Sequence, residues 1–295
     1  LVRRLELFGS GRIEDTLREG FRADGQPVDY SSDSSLYAFG FRYMPVEGVM
    51  LRVSRSIGFK TPGMSQVAPG DPPTSPLSPF AGYVDRLRGD EPVTLPADQY
   101  IQGGNPDLLP ETTNSTNIGL ILSPAWIPGM RLSIDYLESV RGDAITSPNA
   151  QTIIDLEAEF PGRVERGAPS DGFDVGPITF LDMRTINLRE VISESVDLTL
   201  EQRLPSVRNG ALMLTARMTK YLSLRYQATD EGPMLEQVRG PYINGVIGVN
   251  QLAGGTSKWS GNAQLHWEGQ QWGMGWSVRF LDFQKLPLYS RPGFT

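Results

Sequence analysis

The chain has 295 residues and a net charge of −7, and its composition includes 32 glycines, 23 prolines and no cysteine. The glycine and proline content favours turns over helices, and the absence of cysteine excludes disulfides, Cys-ligated metals and thiol nucleophiles. The 27 Lys and Arg residues are spread through an acidic chain, which disfavours nucleic acid as a partner.

Alternation of apolar and polar residues is the dominant pattern along the chain, and it predicts β-strands. An early example is the set Tyr37, Phe39, Phe41 and Tyr43, which alternates with small or charged residues. The same period recurs in eight other segments. The nine predicted strands are residues 4–15, 34–44, 48–60, 113–124, 130–144, 190–204, 211–227, 257–268 and 272–283.

The connections between these strands alternate in length. Short ones are predicted at 45–48, 124–129, 205–210 and 268–271, and long ones at 17–33, 61–112, 145–190 and 228–256. One rim of short turns and one of long loops is typical of bacterial outer-membrane barrels. No run of about 18 apolar residues predicts a transmembrane helix, whereas a barrel strand needs only about 9–11 residues. The fold prediction is therefore all-β, an antiparallel transmembrane β-barrel segment with long extracellular loops; a large soluble β-sandwich or open sheet is the alternative.

Three motifs follow one another along the chain. Residues 51–62 contain a strand that ends in Gly-Phe-Lys-Thr-Pro, residues 104–112 read GNPDLLPET, and residues 186–198 combine Ile-Asn-Leu with Val-Asp-Leu. In this order they resemble the "GFRAP" corner, the GNPxLxPE signature and the "N…GVDL" strand entry of TonB-dependent outer-membrane receptors. The residues that carry the first two motifs are Gly58, Phe59, Pro62, Gly104, Asn105, Pro106, Leu108, Pro110 and Glu111.

The resemblance implies that residues 1–295 are about nine consecutive strands of a larger, 22-stranded barrel, without its N-terminal plug and its C-terminal closing strands. In such a barrel Ile118, Leu120 and Leu122 are expected to face lipid. Membership in the family implies a receptor in the bacterial cell outer membrane that imports a large scarce solute, such as a ferric siderophore, cobalamin or an oligosaccharide. Its partners would be outer-membrane lipid and the TonB complex, which is reached through the missing plug.

Two other functions stay open at this point: a passive porin-like channel, and a soluble all-β domain that binds or hydrolyses carbohydrate. No residues predict a catalytic or metal site, and no cofactor is expected. The single histidine, His266, lies on the polar face of a predicted strand, where the lining of a wet lumen explains it. The acidic residues of the longest loop lack the spacing of a calcium loop.

The candidate ligand contacts lie in the two longest loops. Aromatic and polar side chains at the mouth of a barrel can hold a large solute by stacking and hydrogen bonds. A stretch of the second of these loops, 151–160, also predicts a short helix. The candidate residues are Phe80, Tyr83, Arg86, Arg88, Tyr100, Gln102, Arg163 and Arg166.

Overall fold

The computed structural model describes residues 4–21, 25, 27–68, 73–77, 82–230, 232–236, 238 and 257–283. Two short helices, α1 (Met64–Val67) and α2 (Ala150–Asp155), accompany fifteen strands among these residues. The strands are β1 (Arg4–Phe21), β2 (Pro27–Val46), β3 (Val49–Lys60), β4 (Val84–Asp85), β5 (Glu91–Pro92), β6 (Tyr100–Gly103), β7 (Glu111–Leu122), β8 (Met130–Thr146), β9 (Val164–Arg166), β10 (Ile178–Arg184), β11 (Ile186–Val207), β12 (Gly210–Gln227), β13 (Met234–Glu236), β14 (Trp259–Glu268) and β15 (Gly273–Leu281).

One large antiparallel sheet organises the chain. Its strands follow one another in the order β1-β2-β3-β7-β8-β11-β12-β14-β15, and β13 pairs additionally with β12. All nine predicted strands are present in it, so the prediction of an all-β, antiparallel fold is confirmed. No helix among the described residues is long and apolar enough to cross a membrane.

The register of the sheet places apolar side chains on one face, which we call the outer face. Phe41 lies opposite Val53, Val53 opposite Ile118, Ile118 opposite Tyr136, and Tyr136 opposite Val196. Because side chains alternate between faces along a strand, the apolar residues of five strands form one continuous surface. Ile118 is 46% exposed on this surface.

The opposite, inner face is polar. The Arg52 guanidinium donates to the Asp135 carboxylate at 2.7 Å, and it does so across Gly119, where a Cβ atom would collide with both side chains. On the next two strands, the Thr219 hydroxyl donates to Asp197 at 2.6 Å. The sequence alternation therefore separates an apolar outer face from an inner face with paired charges and hydrogen bonds.

The short turns lie together at one end of the sheet. The β11–β12 turn consists of Arg208 and Asn209, both with positive φ (49° and 60°), and the β2–β3 turn uses Gly48 with φ 80°. Positive φ at both central residues matches the right-handed twist of the flanking strands in a two-residue hairpin. The prediction of short connections at this end is confirmed.

The predicted long connection at 17–33 is wrong. The β1–β2 ladder continues from Arg4 opposite Met44 to Phe21 opposite Pro27, so that only residues 22–26 connect the strands. The upper part of β2 reads DYSSDSS, which has the composition of a loop. One face of this hairpin is exposed, and on the other face Tyr30 packs against Val67 of α1. Backbone pairing here needs only this one apolar residue, which explains why the polarity pattern is misleading.

The main buried cluster is shared between the long connections and the ends of strands β8, β11 and β12. Val191 and Tyr226 of the sheet contribute to it, and Val191 lies opposite Arg141, on the inner face. The long connections between β3 and β7 and between β8 and β11 therefore fold back over the inner face. Their contributions to the cluster include Val93, Leu95, Tyr100, Ala150, Ile153, Ile154, Phe160 and Leu181.

Candidate functional site

The two longest described connections are joined into one unit. We call residues 61–110 loop A and residues 147–185 loop B. Strand β6 of loop A runs parallel to β10 of loop B, with Tyr100 opposite Leu181, and β9 of loop B completes a three-stranded sheet. The Asn105 amide nitrogen of loop A also donates to the Thr185 carbonyl of loop B at 3.2 Å. We refer to loops A and B together as the loop body.

Arg166 is the centre of an ion-pair network between the loops. Its guanidinium donates to Asp85 of loop A at 2.6 Å, to Glu157 of loop B at 2.8 Å, and to the Gly176 carbonyl at 2.9 Å. The Arg166 side chain is 12% exposed. Burial alone would lower the pKa of Arg166, but the bonds to Asp85 and Glu157 outweigh it and raise the pKa. Arg166 therefore stays charged and fully paired.

Arg88 forms a second cross-link between the loops. Its buried guanidinium donates to Glu91 at 2.7 Å, to Asp171 at 3.0 Å and to the Val175 carbonyl at 2.8 Å. It also lies 4.7 Å from the centre of the Phe173 ring. Hydrogen bonds from Ser170 and Arg88 lower the pKa of the Asp171 carboxyl. The charge of Arg88 is thus neutralised inside the loop body.

Arg163 is held within loop B itself. Its guanidinium donates to the carbonyls of Asp182 (3.3 Å) and Arg184 (3.0 Å) and lies 3.4 Å from the Asp182 carboxylate. Burial is the largest effect on the pKa of Arg163 and lowers it. Arg88 and Arg166 therefore join the two loops, whereas Arg163 stabilises loop B alone.

A cavity of about 650 Å³ lies between the loops. Two of the candidate residues, Tyr83 and Gln102, line it. Sequence reasoning missed the other residues of its wall, since single hydroxyl and amide side chains in loops are also what turns and caps require. The described residues that line it are Ser65, Gln66, Leu77, Tyr83, Gln102, Gly103, Ser147, Pro148, Asn149, Ala150, Met183 and Thr185.

Several polar groups of this wall are fixed by neighbours. The hydroxyls of Ser147 and Thr185 lie 3.0 Å apart, and the Thr185 hydroxyl donates to the Gly103 carbonyl at 3.1 Å. The Asn149 amide oxygen accepts from the Thr152 N–H at 2.8 Å and thereby caps α2, which confirms the predicted short helix. Neighbouring groups of the loop body therefore hold these polar side chains of the wall in place.

The remaining candidates lie elsewhere. Arg86 is 55% exposed and pairs with Asp155 at 2.9 Å. Tyr100 is buried in the main cluster, and its hydroxyl donates to the Ser75 carbonyl at 2.8 Å. Phe80 lies outside the described residues. Among the described residues, no group of three or more His, Cys, Asp or Glu side chains could hold a metal ion.

The first two sequence motifs meet at the rim of the sheet. Gly58 lies opposite Thr113 and Phe59 opposite Thr112, so the end of β3 pairs with the start of β7. Glu111 is buried there and accepts from Lys60 at 3.0 Å. Pro62 and Leu108 are also buried, Gly104 packs against the backbone of residues 66–68, and Pro106 is exposed beside Asn105. The motif residues therefore determine where loop A leaves and re-enters the sheet.

A family model described as "TonB dependent receptor-like, beta-barrel" matches residues 4–295. Among solved structures, a mutant of the ferric enterobactin receptor PfeA from Pseudomonas aeruginosa has a TM-score of 0.52 at 15% identity, covering 95% of this chain and 32% of that chain. A PfeA mutant in complex with enterobactin has a TM-score of 0.51 at 15% identity, and the match covers 95% of this chain and 33% of that chain. The FrpB iron transporter from Neisseria meningitidis (F3-3 variant) has a TM-score of 0.50 at 13% identity, and the match covers 94% of this chain and 30% of that chain.

No curated protein matches the chain. At these identities the likeness to the solved structures is one of fold, and the chain spans about a third of the length of those receptors.

Proposed function

The chain belongs to the family of TonB-dependent receptor β-barrels, and on that premise we propose that it forms part of an outer-membrane receptor for TonB-energised uptake of a large scarce solute, such as a ferric siderophore. The observation that carries the proposal is the preformed cavity between loops A and B, at the end of the sheet opposite the short turns. The loops would bind the solute outside the cell, and the nine strands would form part of the barrel wall.

The outer face supports a position in the membrane. Toward the loop end of the sheet this face becomes mixed: Glu138 follows Tyr136, Glu194 lies opposite Glu138 on β11, and the apolar pair of Val140 and Ile192 follows. A change from apolar to mixed side chains is expected near the end of strands that cross a bilayer. The exposed outer face also argues against the alternative of a soluble all-β domain, because contiguous apolar surface of this extent associates or aggregates in water.

The inner face supports a wet or filled lumen. The pair between Arg52 and Asp135 and the bond between Thr219 and Asp197 have the character of side chains that line a polar interior. We propose that a plug outside this chain fills that interior and provides the contact with the TonB complex. In this proposal the chain binds and transports a solute and does not act as an enzyme.

Uptake by the complete receptor tests this proposal. Cells that produce the full-length protein would be supplied with radiolabelled ferric siderophores, cobalamin and oligosaccharides, in the presence and absence of the TonB complex. We expect one solute class to accumulate only when the TonB complex is present. Accumulation that is unchanged without the complex would instead identify a passive porin-like channel.

A second measurement tests the membrane assignment. The full-length protein should fractionate with the outer membrane and migrate differently on gels before and after heating. A protein in the soluble fraction whose migration does not respond to heat would contradict the proposal.

A further inference from the structure

Among the residues that the structure describes, the wall of the cavity between loops A and B contains no charged side chain. Its polar side-chain groups are the hydroxyls of Ser65, Tyr83, Ser147 and Thr185 and the amides of Gln66, Gln102 and Asn149. An anion bound against this wall would meet hydroxyl and amide groups, whereas anions are bound most strongly through charge-assisted hydrogen bonds from cationic side chains. The wall provides none, although arginine is abundant in the same loops.

The arginines of the loop body are occupied by carboxylates of the same unit. Arg166 binds both Asp85 and Glu157, and Arg88 binds Glu91 together with Asp171. Each of these guanidinium groups therefore has two acidic partners. Its positive charge is compensated within the loop body and is not available to an anionic solute.

The net negative charge of loops A and B also disfavours the binding of anions. Loops A and B together contain 13 Asp and Glu residues and five Arg residues, a net charge of −8. Since the whole chain carries −7, the remainder of the chain carries +1. The entire excess of negative charge is thus concentrated in the two loops around the cavity. A field of this sign lowers the local concentration of anions and slows their association.

The cavity is instead equipped for hydroxyl groups. The amide oxygens of Gln66 and Asn149 accept from the backbone N–H groups of Gly63 and Thr152. Their NH₂ groups have no hydrogen-bond partner among the described residues and remain available as donors. Hydroxyl side chains both donate and accept, and Tyr83 adds an aromatic ring.

From the neutral wall, the compensated arginines and the acidic loops, we propose that this cavity binds an uncharged, hydroxyl-rich solute, an oligosaccharide, in preference to an anionic ferric chelate. The inference rests on the proposed receptor function and specifies its solute class. The ordered wall supports it further, because polar groups that are already in place lose little conformational freedom on binding.

Calorimetric titration of the full-length receptor tests the proposal. The probes are neutral hexasaccharides of glucose, N-acetylglucosamine, xylose and mannose, ferric enterobactin as the anionic chelate, and spermine as a cation. We expect at least one hexasaccharide to bind, with an affinity that does not change between 0.1 and 0.5 M salt, about the range over which screening removes long-range electrostatics. We expect no binding of ferric enterobactin at the same concentrations.

Two matched variants locate the site. Gln102→Ala removes an amide from the cavity wall and should weaken hexasaccharide binding by about tenfold. Gln99→Ala removes the same side chain from loop A at a position that does not line the cavity, and the affinity should remain that of the parent receptor. The melting temperature of each variant, measured in parallel, reports whether it is folded.

The possible results separate the two proposals. Binding of ferric enterobactin or spermine with an affinity that depends on Gln102, or the absence of any hexasaccharide binding, overturns the assignment of solute class. TonB-dependent uptake of a ferric siderophore in that case would leave the receptor function intact. A full-length protein without TonB-dependent uptake of any solute contradicts the receptor function itself.

Discussion

The guanidinium of Arg166 in loop B lies 2.6 Å from the carboxylate of Asp85 in loop A, although 81 residues separate them along the chain. Asp85 is buried and the Arg166 side chain is only 12% exposed, and Glu157 binds the same guanidinium. Replacement Arg166→Gln leaves two carboxylates without a cation inside the loop body. We expect it to destabilise the loop body by about 3 kcal/mol, the usual cost of breaking a buried pair. Hydrogen exchange of the β6 and β9 amides in the full-length receptor measures this change.

Arg86→Gln is the matched control for that substitution. Arg86 also bridges the loops, through Asp155 at 2.9 Å, but its side chain is 55% exposed. Exposed pairs contribute about 0–1 kcal/mol, so amide exchange in β6 and β9 should stay close to that of the parent protein. Equal effects of the two substitutions would contradict the role given to the buried pair.

The lowered pKa of the Asp182 carboxyl predicts that the loop body loses stability at acidic pH. Burial alone would raise its pKa, but hydrogen bonds from Arg184 and the charge of Arg163 outweigh burial and hold the pKa below the ordinary value of 3.8. A lowered folded-state pKa stabilises the protein above pH 3.8, and this contribution disappears as the pH falls through the folded value. We therefore expect protection of the β10 amides, corrected for intrinsic exchange, to decrease below about pH 4. An Asp182→Asn variant should lose this pH dependence; an unchanged profile would refute the assignment.

The sheet was predictable because its alternation can be read directly from the sequence. Val53, Ile118 and Tyr136 each belong to the alternating apolar set of their own strand, and each lies opposite the next in the sheet. The same rule failed for residues 17–33, where Ser32 and Asp33 continue a strand beyond the apolar band. Backbone hydrogen bonds hold those residues, and they leave no mark in the polarity pattern.

The candidate site was predictable only in part. Tyr83 and Gln102 were expected to contact a solute and do line the cavity. Arg88 and Arg166 were chosen by the same reasoning, and the structure pairs them with Asp171 and Asp85. Loops give no periodic signal that would bring distant carboxylates to a particular arginine. Sequence can therefore name the polar residues of a loop without showing which of them are already neutralised.

Gly104 connects a family motif to the cavity. A Cβ atom at this position would lie 2.8 Å from the Gln66 carbonyl oxygen and would collide with the Ala68 backbone. Because backbone atoms cannot turn aside, Gly104→Ala should displace α1 together with Gln66 in the cavity wall. We expect a loss of stability of about 1–3 kcal/mol and weaker solute binding, measured by thermal unfolding and titration. Gly63→Ala is the control: its Cβ would lie 3.6 Å from the nearest atom, at a φ of −72°, and both measurements should change little.

The effect of adding a charge to β7 should depend on which face of the sheet receives it. Leu120 lies between Leu51 of β3 and Ile134 of β8 on the outer face, whereas Asn117 of the same strand points to the inner face. A Leu120→Arg substitution exposes a cation to lipid, which costs about 2–4 kcal/mol near the middle of a bilayer. Asn117→Arg adds the same charge to the polar interior and should be tolerated. Denaturant unfolding of the full-length receptor in lipid vesicles compares the two variants. If Asn117→Arg were as destabilising as Leu120→Arg, the outer face would not be the surface in contact with lipid.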